Sequence, residues 1–398
     1  FIAQELNKIG VWVRRRVAVG DLYNDIWEAL NEERKVSQII IITGGLGPTA
    51  DDITKPLLCK YFGGKMVVDE NVLKHIHYLF EKVYRRTGPM LDSNLKQAEV
   101  PDIATVLHNA RGSAPGMWFD GKEDADKRVF ISLPGVPHEM RGLMMDEVIP
   151  RLPKHFKMPF ILHRTAFTSG QGESMLAESI KDFEAALPSH IKLAYLPGYG
   201  MVRLRLTANG DDKEKLEKEL TPLFEQLKVL VKEYLVTDED DGMEVVVGKL
   251  LKSIGKTMGT AESCTGGYIA HLITSIPGSS AYYKGSIVSY ANDIKENILD
   301  VKTDILKSAG AVSEETVIEM VKGAIKKLNV DYAIATSGIM GPDGGSFKKP
   351  VGTVWIAAGT KDNIVAKQLN LRFDRERNIR QTAQMTLDFL RKFILTNS

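Results

Sequence analysis

Four consecutive isoleucines, Ile39 to Ile42, run straight into the string Thr43-Gly-Gly-Leu-Gly-Pro-Thr-Ala-Asp51-Asp52, and this junction constrains the fold more than any other feature. An unbroken apolar run of strand length suits a strand buried on both faces, and a glycine-rich turn opening a helix is a ligand-site geometry. The pattern predicts a strand over Gln38 to Ile42 in a mainly parallel sheet. Two further junctions share the design: Val129 to Leu133 into Pro-Gly-Val-Pro and a helix from about His138, and Lys256 to Ala261 into Glu262-Ser-Cys-Thr-Gly-Gly267 and a helix from about Tyr268. Alternation of this kind predicts an α/β fold.

At 398 residues the chain is too long for one ordinary domain. The first alternating block ends near Pro150. Between Arg151 and Tyr234 the pattern becomes strand (Phe160 to Thr168), helix (about Glu173 to Phe183), two strands (Ile191 to Leu196, Met201 to Thr207) and a charged helix after Asp211, a compact α+β block. The acidic stretch Thr237 to Gly242 reads as a linker, and a second α/β block starts at Met243.

Fifty-two Lys and Arg against fifty-one Asp and Glu leave a formal charge of +1, which argues against a dedicated nucleic-acid or membrane-surface binder. The longest basic run, Arg14-Arg15-Arg16, lies in a strand-like segment. No apolar run approaches the roughly 18 residues of a membrane span, and Cys59 and Cys264 form no CxxC. The expectation is a cytoplasmic protein with reduced thiols. The chain opens at Phe1, without Met, inside an amphipathic helix, so some N-terminal sequence is expected to precede it.

Each glycine-rich turn has a functional and a structural reading. Thr43 to Asp52 offers backbone N–H groups and a helix N-terminus to a phosphate, while Asp51 and Asp52 could share a divalent ion with a diphosphate; equally, Thr49 or Asp51 could simply cap the helix. There is no Gly-Lys-Ser/Thr, so this is not a P-loop. Arg111 to Gly116 and Ser132 to Glu139 could line the same pocket or be rigid turns. In the second block Ser263, Cys264 and Thr265 crowd one strand-to-helix turn, and the only histidine from Met243 onward is His271, on the helix that follows. A histidine base is therefore poorly placed, leaving a Ser-Lys arrangement in which a desolvated lysine takes the serine proton. Lys284 and Lys295 both qualify by type. Ser337 to Ser346 and Lys349 to Thr353 supply glycines that could hold an oxyanion or phosphate.

These residues carry a resemblance. Thr43 to Asp52, Gly112 to Gly116 and Leu133 to Glu139 resemble the first domain of the competence/damage-inducible (CinA-like) family. Glu262 to Gly267, Tyr290 with Asn292 and Lys295, and Gly338 to Gly352 resemble its C-terminal nicotinamide-nucleotide amidase domain. The resemblance implies an N-terminal three-layer domain like the molybdopterin-binding fold (residues 1–152), a small KH-like α+β domain (158–236) and a C-terminal α/β amidase domain (243–398).

It also implies hydrolysis of the carboxamide of nicotinamide mononucleotide, with Ser263 as nucleophile, Lys295 as general base and Tyr290 as supporting proton donor or orienting group. Glu262, Thr265, Gly266, Gly267, Asn292, Ser337, Gly338, Gly341, Gly344 and Gly345 would bind that substrate, without a cofactor. The first domain would cleave ADP-ribose, binding it through Gly44, Gly45, Gly47, Ser113 and Gly135, with Asp51, Asp52 and Glu139 on a divalent metal ion that a monovalent cation can accompany. The family's opening strand would lie before Phe1, and Met340 stands where a small residue is usual. The expected partners are small nucleotides and a second copy in a homodimer, with no nucleic acid and no membrane. A pterin-like ligand for the first domain, and a non-catalytic competence or DNA-repair adaptor, are the alternatives.

Overall fold

The computed structural model describes every residue except Ala50, Arg86, Thr87, Lys122 to Lys127 and Ser398. The chain forms two compact units, residues Phe1–Leu162 with Asn209–Leu216, and His163–Ala208 with Glu217–Ser398.

The first unit holds a four-stranded sheet in the order Ile39–Thr43, Val129–Leu133, Gly116–Asp120, Thr105–Leu107. Helices cover both faces. On one, Leu57, Leu58 and Phe62 pack with Ile26 and Leu30 against Ile40, Phe119 and Phe130; on the other, Leu143, Met144, Val148 and Leu152 pack against Val129, Ile131 and Leu133. Two sequence expectations change here. Only the pairing of Ile39–Thr43 with Val129–Leu133 is parallel, and the other two pairings are antiparallel. The isoleucine strand is an edge strand of the described sheet, half-buried through most of its length, whereas Val129–Leu133 is buried at every position. The apolar run reflects two covered faces and says nothing about lateral neighbours. Val11 to Val19, with the arginine triplet, takes no regular secondary structure.

Most of a four-stranded sheet, in the order Leu235–Thr237, Phe160–Ser169, Met201–Gly210, Ile191–Gly198, belongs to the second unit. The helix expected over Glu173 to Phe183 is two pieces, Glu173–Ser179 and Lys181–Ala185, broken at Ile180. The acidic stretch after Thr237 is not a loose linker. Lys228 holds Asp238, Arg203 and Arg205 hold Asp240, and Lys249 holds Glu239 and Asp241. Each surface pair contributes little alone, but together they fix the segment.

The larger part of this unit is a five-stranded sheet in the order Tyr283–Val288, Met258–Glu262, Tyr332–Gly338, Thr353–Gly359, Ile364–Asn370. The first three strands are parallel and the last two antiparallel. Alternation along the strands feeds two cores. Met258, Ile334 and Ala358 face the helices Met243–Ser253 and Arg375–Asn397, while Ala261, Ala333, Ala335 and Ala357 face Glu314–Leu328. Small residues on the second face let that helix lie close to the sheet. It begins where the Ser313 hydroxyl caps Thr316 N at 3.2 Å, carries Glu314 and Glu315 in its first turn and Lys326 and Lys327 in its last, and buries Val317, Met320, Val321 and Ala324 at helical spacing. Its Gly323 meets the helix Asn292–Leu299: a Cβ there would lie 2.1 Å from the Leu299 carbonyl oxygen. That close approach seats the helix that carries Lys295.

Candidate active site

The strand Met258–Glu262 delivers Ser263 to the C-terminal edge of the parallel strands, where Ser263 N donates to Thr336 O at 2.9 Å. The chain then reverses through Gly266 and Gly267 at φ of 60° and 94°, values that favour glycine, and enters the helix Tyr268–Thr274. Lys295 comes from the first turn of Asn292–Leu299, on the same helical face as Leu299. It is 1% exposed, and its Nζ donates to Ser263 Oγ at 3.1 Å, Ser289 O at 2.7 Å and Tyr290 O at 3.3 Å. All three acceptors are neutral, and among the described residues no carboxylate pairs with it. Burial lowers the lysine's pKa from the ordinary 10.5, against weaker opposing effects of Cys264 and Asp293.

Ser263 and Lys295 open on a cavity of about 170 Å³ lined also by Cys264, Tyr290, Asn292, Ser337, Gly338, Met340 and Arg375. Lys284, the other lysine candidate, is exposed on the neighbouring strand. Met340 is 3% exposed and packs with Cys264, Val354 and Leu369, forming part of the apolar wall. Tyr290 is 62% exposed; its hydroxyl accepts from Arg375 Nη2 at 3.0 Å, while Arg375 Nη1 donates to the Gly341 carbonyl at 2.8 Å. Arg375 is a functional candidate that the sequence reading missed. No motif marks it, since it sits on the first turn of the final helix, 80 residues from Lys295, and only the fold brings it to the cavity.

Other expected substrate ligands stand elsewhere. Glu262 is fully buried, and its carboxylate is turned into the protein onto the amides and hydroxyls of the turn. Thr265, 3% exposed, shares its hydroxyl with Glu262 and with Thr336. Gly266 and Gly267 shape the turn, and Gly344 and Gly345 are exposed on the loop beyond the cavity lining. The Cys264 thiol is pushed up to about 12, chiefly by burial, so it stays protonated.

In the first unit the glycine turns do converge. Gly44 N donates to Leu133 O at 2.9 Å, and a Cβ on Gly135 would come within 3.4 Å of Gly44 Cα. Gly45 lies against Thr54, Gly47 against Asp52, and Gly112 against the Glu139 carboxylate, with half-buried Ser113 beside it. The acidic residues are another matter. Asp51 is exposed; Asp52 accepts from Thr49 N at 3.1 Å and from the Thr49 hydroxyl, closing its own turn; Glu139 accepts from Asn109 Nδ2 at 2.6 Å. Neither Thr49 nor Asp51 caps the helix Thr54–Phe62, which has no side-chain cap. Among the described residues no three His, Cys, Asp or Glu side chains are grouped to hold a metal. The expected metal ligands therefore do not fit a metal as they stand. Ala50 of this turn lies outside the described residues.

Comparison with known proteins places the chain. Three family models match it: a probable molybdopterin binding domain over residues 1–154, the KH domain of damage-inducible protein CinA over 163–237, and the CinA C-terminal domain over 240–394. CinA-like proteins of Cytophaga hutchinsonii and Flavobacterium psychrophilum are 46% and 44% identical, over 98% and 100% of this chain and 92% and 94% of their own lengths. Among solved structures, a competence/damage inducible protein, CihA, of Agrobacterium tumefaciens is 34% identical over 41% of this chain and all of its own, with a TM-score of 0.37. Among the described residues no helix is long and apolar enough to cross a membrane. An N-terminal molybdopterin-binding-like domain, a small KH-like domain and a C-terminal CinA domain make this chain a member of the CinA-like family.

Proposed function

We propose that the C-terminal domain hydrolyses the carboxamide of nicotinamide mononucleotide to nicotinic acid mononucleotide and ammonia. The observation that carries this reading is the buried Lys295 Nζ, 3.1 Å from Ser263 Oγ and matched only with neutral acceptors. A lysine held that way loses its proton more readily than one in water, and as a neutral amine it accepts the Ser263 proton. The serine oxygen then attacks the amide carbon. The tetrahedral intermediate collapses as Lys295 returns the proton to the departing nitrogen, which leaves as ammonia. Water, deprotonated by the same amine, cleaves the resulting Ser263 ester and frees the carboxylate. Arg375, pinned between Gly341 O and the Tyr290 hydroxyl, supplies a fixed cation at the cavity rim for the nucleotide phosphate.

For the N-terminal domain the same reading assigns cleavage of ADP-ribose. Its support is the family and the convergence of Gly44, Gly135 and Gly112 near Glu139. The acidic residues are committed to Thr49 and Asn109, so we derive no step through a metal. The reading further takes the protein to be a cytoplasmic homodimer acting on small nucleotides, and light scattering tests the dimer. For the amidase, the parent protein is to release ammonia and the deamidated mononucleotide, and Ser263→Ala and Lys295→Ala are to release neither. Turnover by Ser263→Ala at the parent rate would overturn it.

A further inference from the structure

The turn from Ser263 to Thr265 presents three groups capable of nucleophilic attack, and the reaction needs one of them aimed at Lys295. Glu262 immediately precedes them. It is fully buried, and among the described residues no cation pairs with it. Its Oε2 accepts from the Thr265 hydroxyl at 2.7 Å, Gly267 N at 3.1 Å and Ile269 N at 3.0 Å. Its Oε1 accepts from Ala270 N at 2.9 Å and, at longer range, from the hydroxyls of Thr260 at 3.3 Å and Ser286 at 3.4 Å. One carboxylate thus stitches together the strand end, the turn, the first helical amides and the adjacent strand. An ion in a low-dielectric interior persists only where preorganised donors replace its water, and here the four closest donors, Thr265, Gly267, Ile269 and Ala270, belong to the turn that carries the nucleophile and the helix it opens.

We propose that Glu262 is the positioning residue of the nucleophile turn, occupying the Thr265 hydroxyl and anchoring the turn so that Ser263 alone is presented to Lys295. This rests on the amidase reading. Two neighbouring facts agree with it. The Thr265 hydroxyl is held on its other side by Thr336 at 2.8 Å, leaving it no path to the cavity, and the Glu262 charge joins burial in holding Cys264 as a thiol. None of the residues that donate to the Glu262 carboxylate lines the cavity, and Glu262 acts through Ser263.

The test compares the parent with Glu262→Gln and Glu262→Asp in the full chain, measuring kcat and KM for nicotinamide mononucleotide and amide hydrogen exchange by residue. An amide in place of the carboxylate turns an NH2 toward donors, so the turn loosens. Glu262→Gln is to lose about tenfold or more in kcat with KM within about threefold, since small misplacement of a reacting group costs rate rather than binding. Faster exchange at Gly267, Ile269 and Ala270 is to accompany it. Glu262→Asp, which keeps the charge, is to recover part of the kcat. A rise in KM with kcat intact would instead make Glu262 a substrate ligand and overturn the proposal, as would Glu262→Gln at parent kcat. If Glu262→Gln does not fold, Thr265→Val carries the test: kcat is to fall about threefold at unchanged KM, and an unchanged kcat overturns the proposal. Absence of ammonia from the parent defeats the amidase reading, and exchange at the three amides then decides the role of Glu262 by itself.

Discussion

The turns after Ile39–Thr43 and after Met258–Glu262 follow one plan, an apolar strand, a glycine-rich reversal and a helix, yet they differ in what their polar groups are free to do. At the second turn the acid, Glu262, is buried and consumed by the turn's own donors, which leaves Ser263 beside a buried lysine with no counter-ion. At the first turn Asp51 is exposed and Asp52 closes its own turn on Thr49, while Glu139, brought to the turn by the helix Pro137–Leu143, is held by Asn109. The lesson is that a glycine turn supplies a place, while reactivity comes from a charged group that burial has left without its partner.

The sharpest way to break this comparison is to remove the reactive pair. Ser263→Ala and Lys295→Ala are each expected to lower amide hydrolysis about a thousandfold or more, read as ammonia release. Asp52→Asn is expected to leave that rate within about twofold, and a large loss there would join the two sites. Next in size, Arg375→Ala is expected to raise KM about tenfold or more with little change in kcat, because it removes a charged contact to a distal group rather than a reacting one. A fall in kcat alone would move Arg375 into the chemistry.

Stability sharpens the same contrast. Burial depresses the Lys295 pKa below its unfolded value of 10.5, so between the depressed pKa and 10.5 the unfolded chain binds more protons at this site than the folded one. The contribution to stability is therefore unfavourable below the depressed pKa and vanishes as pH rises toward 10.5. Lys295→Met is expected to be inactive yet more stable than the parent at neutral pH, by about 1 kcal/mol or more, and to lose that advantage at high pH; thermal melts across pH read it. A parent melt that shows no such convergence contradicts the unpaired lysine. The smallest effect is at the first turn: Asp52→Ala is expected to cost about 1 kcal/mol through its lost hydrogen bonds to Thr49, with the loss unchanged by divalent ions. Thermal protection of the parent by a divalent ion, absent in Asp52→Ala, would make this turn a metal site and dissolve the contrast.

Much of this was legible in the residues. The strand-turn-helix junctions give the α/β domains, and Ser263 and Lys295 stand in strings specific enough to carry a family resemblance. The choice between Lys284 and Lys295 was open by spacing, although one signal was present: Lys295 falls four residues before Leu299 on a short helix and so shares its buried face, a position where a lysine is unusual. The edge position of Ile39–Thr43 was not legible, because a hydrophobic run reports covered faces rather than hydrogen-bonded neighbours. Arg375 was hidden by sequence distance. The resemblance implies Glu262 as a substrate ligand, and only the directions of Gly267, Ile269 and Ala270 N–H show that its carboxylate is already taken.

An acyl group carried on Ser263 is trapped by quenching the parent protein in acid during turnover of nicotinamide mononucleotide and mapping the modified peptide by mass spectrometry. The nicotinic acid mononucleotide ester is expected on Ser263 and is expected to be absent from Ser263→Ala. An acyl group on Cys264 or Thr265, with Ser263→Ala still turning over, would contradict it.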